Sequence, residues 1–279
     1  LMLHPVYGQK ISGIEAEFGS RFAANGVEEF LENYTSGDDL YNDAIRKWAQ
    51  VIYSNALQVN DKKYFLDKTP RYFFIIPELY HLFPKAKFIF LIRNPLAVLA
   101  SALTTYSEGD WSVLGIFQSA LLMAPERILE GIDLLGENAI TIKYEEFVNE
   151  PEKQISTLCQ QLGISFHEEM LNYSNTPQPI GKMNDPTGIH QHKKPATTSI
   201  DKWKKMTDDD QSLLFARSYL DSLGKNTIQK LGYSYDEIYN ILYNVKIIND
   251  NNLFPLKVAI RPKKEWTIKE KFIAATKYT

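Results

Sequence analysis

Apolar residues recur along the chain at two spacings, and the switching between them predicts alternating helices and strands. Residues 11–31 and 41–57 carry apolar positions at helical period; in the second, Ile45, Trp48, Ala49 and Ile52 fall on one face. "YFLDK", residues 64–68, has the length and bounding of a short strand. "PELYHLFP" predicts a helix opened by Pro77 and closed before Pro84, because proline is tolerated in a first turn and cannot continue a helix. "AKFIFLIR", residues 86–93, is a continuous apolar run, the pattern of a parallel strand buried on both faces. "PLAVLASALTTY" then opens a helix with Pro95 in or near its first turn, and residues 112–135 predict one long helix. "NAITIKY" repeats the buried-strand pattern, and "EPEKQISTLCQQLG" predicts a helix that stops at Gly163.

Strands separated by helical stretches imply right-handed crossovers, hence an α/β fold with a mostly parallel sheet flanked by helices. Residues 174–200, rich in Asn, Pro, Thr and His, predict a long irregular loop of the kind that carries function or moves. Two further helices are expected at about 207–231 and 235–243. This places one α/β domain over residues 1–247 and a C-terminal extension over 248–279.

Composition narrows the function classes. A formal charge of −3 supplies no global basic field, so no nucleic-acid partner is expected and anion binding has to come from local clusters. The single cysteine, Cys159, cannot close an internal disulfide and makes no CxxC pair, which suits a reducing compartment and a cytoplasmic location. The longest apolar stretch, "FIFLIRNPLAVLASAL", is interrupted by Arg93, Asn94 and Pro95, so no transmembrane segment is expected.

The candidate chemistry gathers at strand ends. In an open parallel sheet, ligands bind in the crevice beyond the carboxyl ends of the strands. Lys68, Arg93 and Tyr144 each stand at or just past such an end, and on three successive strands they would share one rim. Taken singly, Arg93 also reads as a surface ion-pair partner and Tyr144 as a half-buried packing residue. A guanidinium offers phosphate a planar fork of donors. Ser101 lies eight residues beyond Arg93, two turns along the same helix, and the first-turn amides there are expected to add to an anion site.

Three stretches, "LDKTPRYF", "FPKAKFIFLIRNPLAVLAS" and "IKYEEFVNEPE", together resemble the sulfotransferase family that uses 3′-phosphoadenosine-5′-phosphosulfate (PAPS). The resemblance continues through "DPTGIHQHKKPATTSIDKW" and "LGYSYDE", covering about residues 1–236. It implies that Arg93 and Ser101 bind the 3′-phosphate of the nucleotide, that Lys68 lies near the transferred sulfo group, and that Tyr144 packs near the adenine. It also implies a P-loop-kinase-like sheet whose first strand carries a Ser- and Gly-containing loop of the type P-R-S-G-[ST]-T. That loop is missing from the sequence, so this N-terminal strand and loop are expected ahead of Leu1.

Basic and imidazole side chains crowd residues 190–205. Lys193 and Lys194 either close over a nucleotide phosphate as a lid or belong to a solvated basic loop. His190 and His192 lack a third ligand at matching spacing, so no metal site is expected, and His190 is a candidate general base. The expected activity is transfer of a sulfo group from PAPS to a hydroxyl acceptor, a glycan or glycolipid, without a metal. Two other readings are a P-loop nucleotide kinase, which would require GxxxxGK[ST], and a non-catalytic nucleotide- or glycan-binding remnant. Nothing in the sequence points to an oligomeric state.

Overall fold

The structure, a computed structural model, describes residues 20–34, 37–107, 111–172, 194–248, 253 and 256. It divides into two compact units, one formed by Leu1–Pro70 with Pro77–Ala86 and the other by Arg71–Ile76 with Lys87–Thr279.

In the first unit, α1 (Ser20–Leu31) and α2 (Gly37–Val59) fall where the apolar period predicts helices, with Leu31 and Ala49 buried; residues 11–19 of the first expected helix lie outside the described residues. The rest of the predicted face of α2 stays largely in solvent, with Trp48 57% and Ile52 46% exposed. Arg46 of α2 donates from Nε to the Leu82 carbonyl (2.7 Å), tying α2 to the end of α3 (Ile76–Leu82), and also pairs with Asp43. The "YFLDK" segment is not a strand. It finds no ladder partner among the described residues, and a strand without one leaves its backbone groups to solvent. Side chains hold it instead: the Phe65 ring stacks on Tyr53 with centroids 4.1 Å apart, and the Tyr53 hydroxyl donates to Asp67 (2.7 Å). Leu66 is 80% exposed.

In the second unit, β1 (Phe88–Ile92) and β2 (Ala139–Lys143) pair in parallel, from Phe88 opposite Ala139 to Ile92 opposite Lys143. The connection between them carries α4 (Pro95–Ala102), α5 (Gln118–Leu122) and α6 (Ala124–Leu135). Phe90 and Ile92 are buried, whereas Ile89 and Leu91 are 37% and 59% exposed, so β1 is covered on one face rather than two. Among the described residues the sheet has two strands, too few to form a buried central strand.

The expected helix over 112–135 is broken into a 3₁₀ stretch (Trp111–Phe117), α5 and α6. Pro125 sits in the first turn of α6 and has no N–H to offer the Leu121 carbonyl four residues back. That carbonyl accepts the hydroxyl of Tyr219 instead (2.8 Å).

After β2 come α7 (Tyr144–Asn149) and α8 (Pro151–Leu162), the latter ended by Gly163 in the left-handed region (φ 70°), as its sequence predicts. The main core lies between α4, α5, α9 (Asp210–Lys230) and α10 (Tyr235–Tyr243), with Leu96, Leu99, Leu213, Leu220 and Leu242 fully buried. Beyond residue 248, Leu256 is buried in this same core, and its N–H donates to Ser218 Oγ (2.9 Å).

Two outcomes test this packing. A Cβ built on Gly131 in α6 would lie 2.7 and 2.9 Å from two carbons of buried Ile76. Overpacking of about 1–3 kcal/mol then outweighs the ~1 kcal/mol of helix propensity that alanine adds. Gly131→Ala should therefore lower the denaturant midpoint without changing the slope; an unchanged or raised midpoint would mean that Ile76 repacks freely. The second outcome concerns pH. Burial holds the phenol of Tyr219 well above its ordinary value of 10.0, and Tyr233 and Tyr243 are raised as well. Above pH 10 the unfolded chain releases these protons while the folded chain keeps them, so stability should fall as pH rises from there. Tyr219→Phe should cost about 1 kcal/mol at neutral pH and make the alkaline fall shallower. Denaturation curves between neutral pH and pH 11 or so check both; an alkaline slope unchanged by the substitution would contradict the assignment.

Candidate functional site

Parallel pairing sets the site. Because Ile92 lies opposite Lys143, the residues that follow the two strands, Arg93 and Tyr144, emerge side by side at the carboxyl edge. The Arg93 guanidinium carbon stands 4.4 Å from the centroid of the Tyr144 ring, a cation–π contact. Arg93 Nη2 donates to the carbonyl of Ser199 (3.1 Å), in the 3₁₀ turn Thr197–Ser199. Among the described residues its buried Nε has no acceptor, and no carboxylate comes within ion-pair distance of the guanidinium. A half-buried cation with an aromatic floor and an unspent donor is suited to an oxyanion.

The start of α4 differs from what the sequence suggests. Pro95 supplies no N–H, the Leu96 N–H donates to the Asn94 side chain (2.9 Å), and the Ala97 and Val98 amides donate to the Asn94 carbonyl. Pro95, Leu96 and Ala97 are also buried. The first-turn amides are therefore engaged in capping and are not open to an anion. Binding capacity at this edge resides in side chains.

A second layer fixes the two strand ends. Glu145, next to Tyr144, accepts the backbone N–H of Asn94 (2.9 Å) at one oxygen and the Tyr233 hydroxyl (2.7 Å) at the other. Burial first, and then the hydrogen bond and negative charge of Glu145, hold the Tyr233 phenol far above its ordinary range, so it stays a donor. Lys143 Nζ donates to the Gly232 carbonyl (2.8 Å) and lies 5.4 Å from the centre of the Tyr233 ring. The turn joining α9 to α10 is thereby anchored to the end of β2.

The remaining sequence-derived candidates fall as follows. Ser101 is half-buried in the last turn of α4, and the hydrogen bond of Arg93 goes to Ser199 rather than to it. Lys68 belongs to the first unit and is exposed, in the irregular stretch that replaces the expected strand. Lys194 lines a groove of about 570 Å³ with Glu150, Lys153, Ser156 and Leu171. His190, His192 and Lys193 lie outside the described residues. Among the described residues no three potential metal ligands cluster, and no helix is long and apolar enough to cross a membrane. Sequence reasoning missed Glu145, Tyr233 and Ser199. The available signals were the acid directly after Tyr144 and the glycine–tyrosine pair in "LGYSYDE", but their partners are 51 to 106 residues distant.

Comparisons with known proteins bear on the family. The sequence model described as "Sulfotransferase family" matches residues 13–168, more than half of the chain and including both strands and their ends. Similar proteins include Nodulation protein NoeE of Sinorhizobium fredii, 28% identical over 42% of this chain and 33% of its own length. Another is the omega-hydroxy-beta-dihydromenaquinone-9 sulfotransferase Stf3 of Mycobacterium bovis, 24% identical over 49% of this chain and 39% of its own. The chain thus spans well under half the length of the curated relatives it matches. A similar solved structure is the sulfotransferase domain from the Synechococcus PCC 7002 olefin synthase, 26% identical over 64% of this chain and 66% of that one, with a TM-score of 0.47. A second, from the curacin biosynthetic pathway, is 21% identical over 64% of this chain and 70% of that one, with a TM-score of 0.45. With residues 13–168 matched by the family's sequence model, the chain belongs to the sulfotransferase family.

Proposed function

We propose that the protein is a PAPS-dependent sulfotransferase whose β1–β2 edge holds the 3′-phosphate of the nucleotide, and that it sulfates a hydroxyl on a glycan or glycolipid. The observation that supports this most directly is the state of Arg93: half-buried, stacked on Tyr144, without a carboxylate among the described residues, and with its Nε donor unspent. An orphaned buried donor on a guanidinium fits a phosphate, which accepts from several N–H groups at once. Family membership sets aside the nucleotide-kinase reading.

When bound, PAPS supplies an activated sulfo group. The chain's own residues then divide the remaining work. Arg93 and Ser101 hold the phosphate, and Tyr144 borders the adenine with the ring surface that the guanidinium leaves uncovered. Lys68 neutralises charge developing on the sulfo group, the kind of electrostatic help that dominates loose group-transfer reactions. Lys193 and Lys194 border the nucleotide, and His190 takes the proton from the acceptor hydroxyl. No metal is assigned a part. A relative named as an omega-hydroxy-beta-dihydromenaquinone-9 sulfotransferase supports a hydroxyl-bearing acceptor. A cytoplasmic location is proposed on the strength of the lone, buried, unbridged Cys159.

Calorimetry on the full-length protein tests the nucleotide assignment. Adenosine 3′,5′-bisphosphate should bind in preference to ATP, and Arg93→Ala should weaken the bisphosphate by about tenfold or more. Preference for ATP, or undiminished binding by the variant, would overturn it. Lys68→Ala should lower turnover on the order of 10²-fold or more while leaving bisphosphate affinity nearly unchanged. Normal turnover would remove Lys68 from the mechanism.

A further inference from the structure

The hydrogen bonds that define the strand end beside Arg93 converge on a carboxylate to which the proposed reaction gives no role. Glu145 uses one oxygen to accept the Asn94 N–H (2.9 Å) and the other to accept the Tyr233 hydroxyl (2.7 Å). The Asn94 N–H belongs to the peptide unit that joins Arg93 to Asn94. Fixing the plane of that unit restrains ψ of Arg93, and with the β1 ladder holding the chain up to Ile92 it restrains the direction in which the Arg93 side chain leaves the backbone. On its far side Asn94 is locked as the cap of α4, so the peptide is held from both ends.

Glu145 is itself held. Tyr233 stands in the turn between α9 and α10, whose Gly232 carbonyl takes the ammonium of Lys143 (2.8 Å), the residue just before Tyr144. Gly232 has φ +84°, a backbone conformation that L side chains rarely adopt, and the end of Lys143 would have to give way to a Cβ there, so glycine suits this turn. With both oxygens engaged, and no ion pair to Arg93, Glu145 leaves the guanidinium's charge available to a ligand.

We infer that Glu145 is a positioning residue for Arg93: held by the Tyr233 hydroxyl, it aims the guanidinium at the nucleotide's 3′-phosphate without neutralising it. This rests on the proposal that Arg93 binds that phosphate, and it adds the α9–α10 turn to the determinants of nucleotide discrimination.

The test uses calorimetric affinities of the full-length protein for adenosine 3′,5′-bisphosphate and adenosine 5′-monophosphate. Glu145→Ala should weaken the bisphosphate by about tenfold or more and the monophosphate far less, since only the former carries the group that Arg93 addresses. In the Arg93→Ala background the same substitution should add less than about a twofold loss, because residues acting through one another are not additive. Glu145→Gln, which keeps an acceptor for the Asn94 N–H, should recover most of the discrimination. Tyr233→Phe removes one oxygen and keeps the ring, and should narrow the bisphosphate preference by about threefold or more; it decides the matter should Glu145→Ala fail to fold. Equal weakening of both nucleotides, or additive losses in the double variant, would show a merely structural role and overturn the inference. Wild-type binding that is lost in Arg93→Ala but undiminished in Glu145→Ala and Tyr233→Phe overturns this inference alone. Absence of bisphosphate binding by the wild type overturns the functional proposal with it.

Discussion

A guanidinium drawn half out of water at the end of a strand is the constraint around which the second unit is organised. Removing a charge from water is costly unless polar or aromatic groups replace the hydration. For Arg93 the replacements are the Tyr144 ring at 4.4 Å and the Ser199 carbonyl at 3.1 Å, neither of which carries a compensating charge. The cation is supported but not neutralised. A carboxylate at the same place would stabilise the apo protein more and bind an anion less.

Keeping that balance requires a rigid backbone, and much of the local sequence provides one. Asn94 caps α4 and Pro95 begins it, so the chain turns from strand to helix without a free amide in the first turn. Glu145 then takes the one N–H that the cap leaves over. Lys143 and Tyr233 bring in the α9–α10 turn, and α9 contributes Leu213, Phe215 and Leu220 to the main core. A chain of hydrogen bonds thus runs from the strand edge to the α9–α10 turn, where Tyr233 packs against the main core. Buried networks of this kind specify a geometry when every member is satisfied; here the unsatisfied atom is the Arg93 donor at the proposed binding position.

Helix ends and strand cores were legible from local rules because local forces set them. Gly163 ends α8 by adopting a positive φ, and the apolar runs around Phe90 and Ile140 became β1 and β2. Three expectations failed where a partner decides the outcome. "YFLDK" has strand composition but no strand to pair with among the described residues, and the Tyr53–Phe65 stack holds it in another conformation. The helix expected over 112–135 broke at Pro125, where Tyr219, 94 residues farther along the chain, offered a hydroxyl to the stranded Leu121 carbonyl. The amides at the start of α4 were spent on Asn94 rather than left for an anion.

By itself the sequence determined the α/β alternation, the family, and the identity of Arg93 and Tyr144 as residues standing at strand ends, because apolar period and a short motif are properties of neighbouring residues. Only the tertiary structure decided that the two side chains touch, since contact follows from the parallel register that sets Ile92 against Lys143. It alone recruited Glu145, Tyr233 and Ser199, because a hydrogen bond between residues 51 to 106 positions apart depends on where the packed core brings the chain, and no local pattern encodes that.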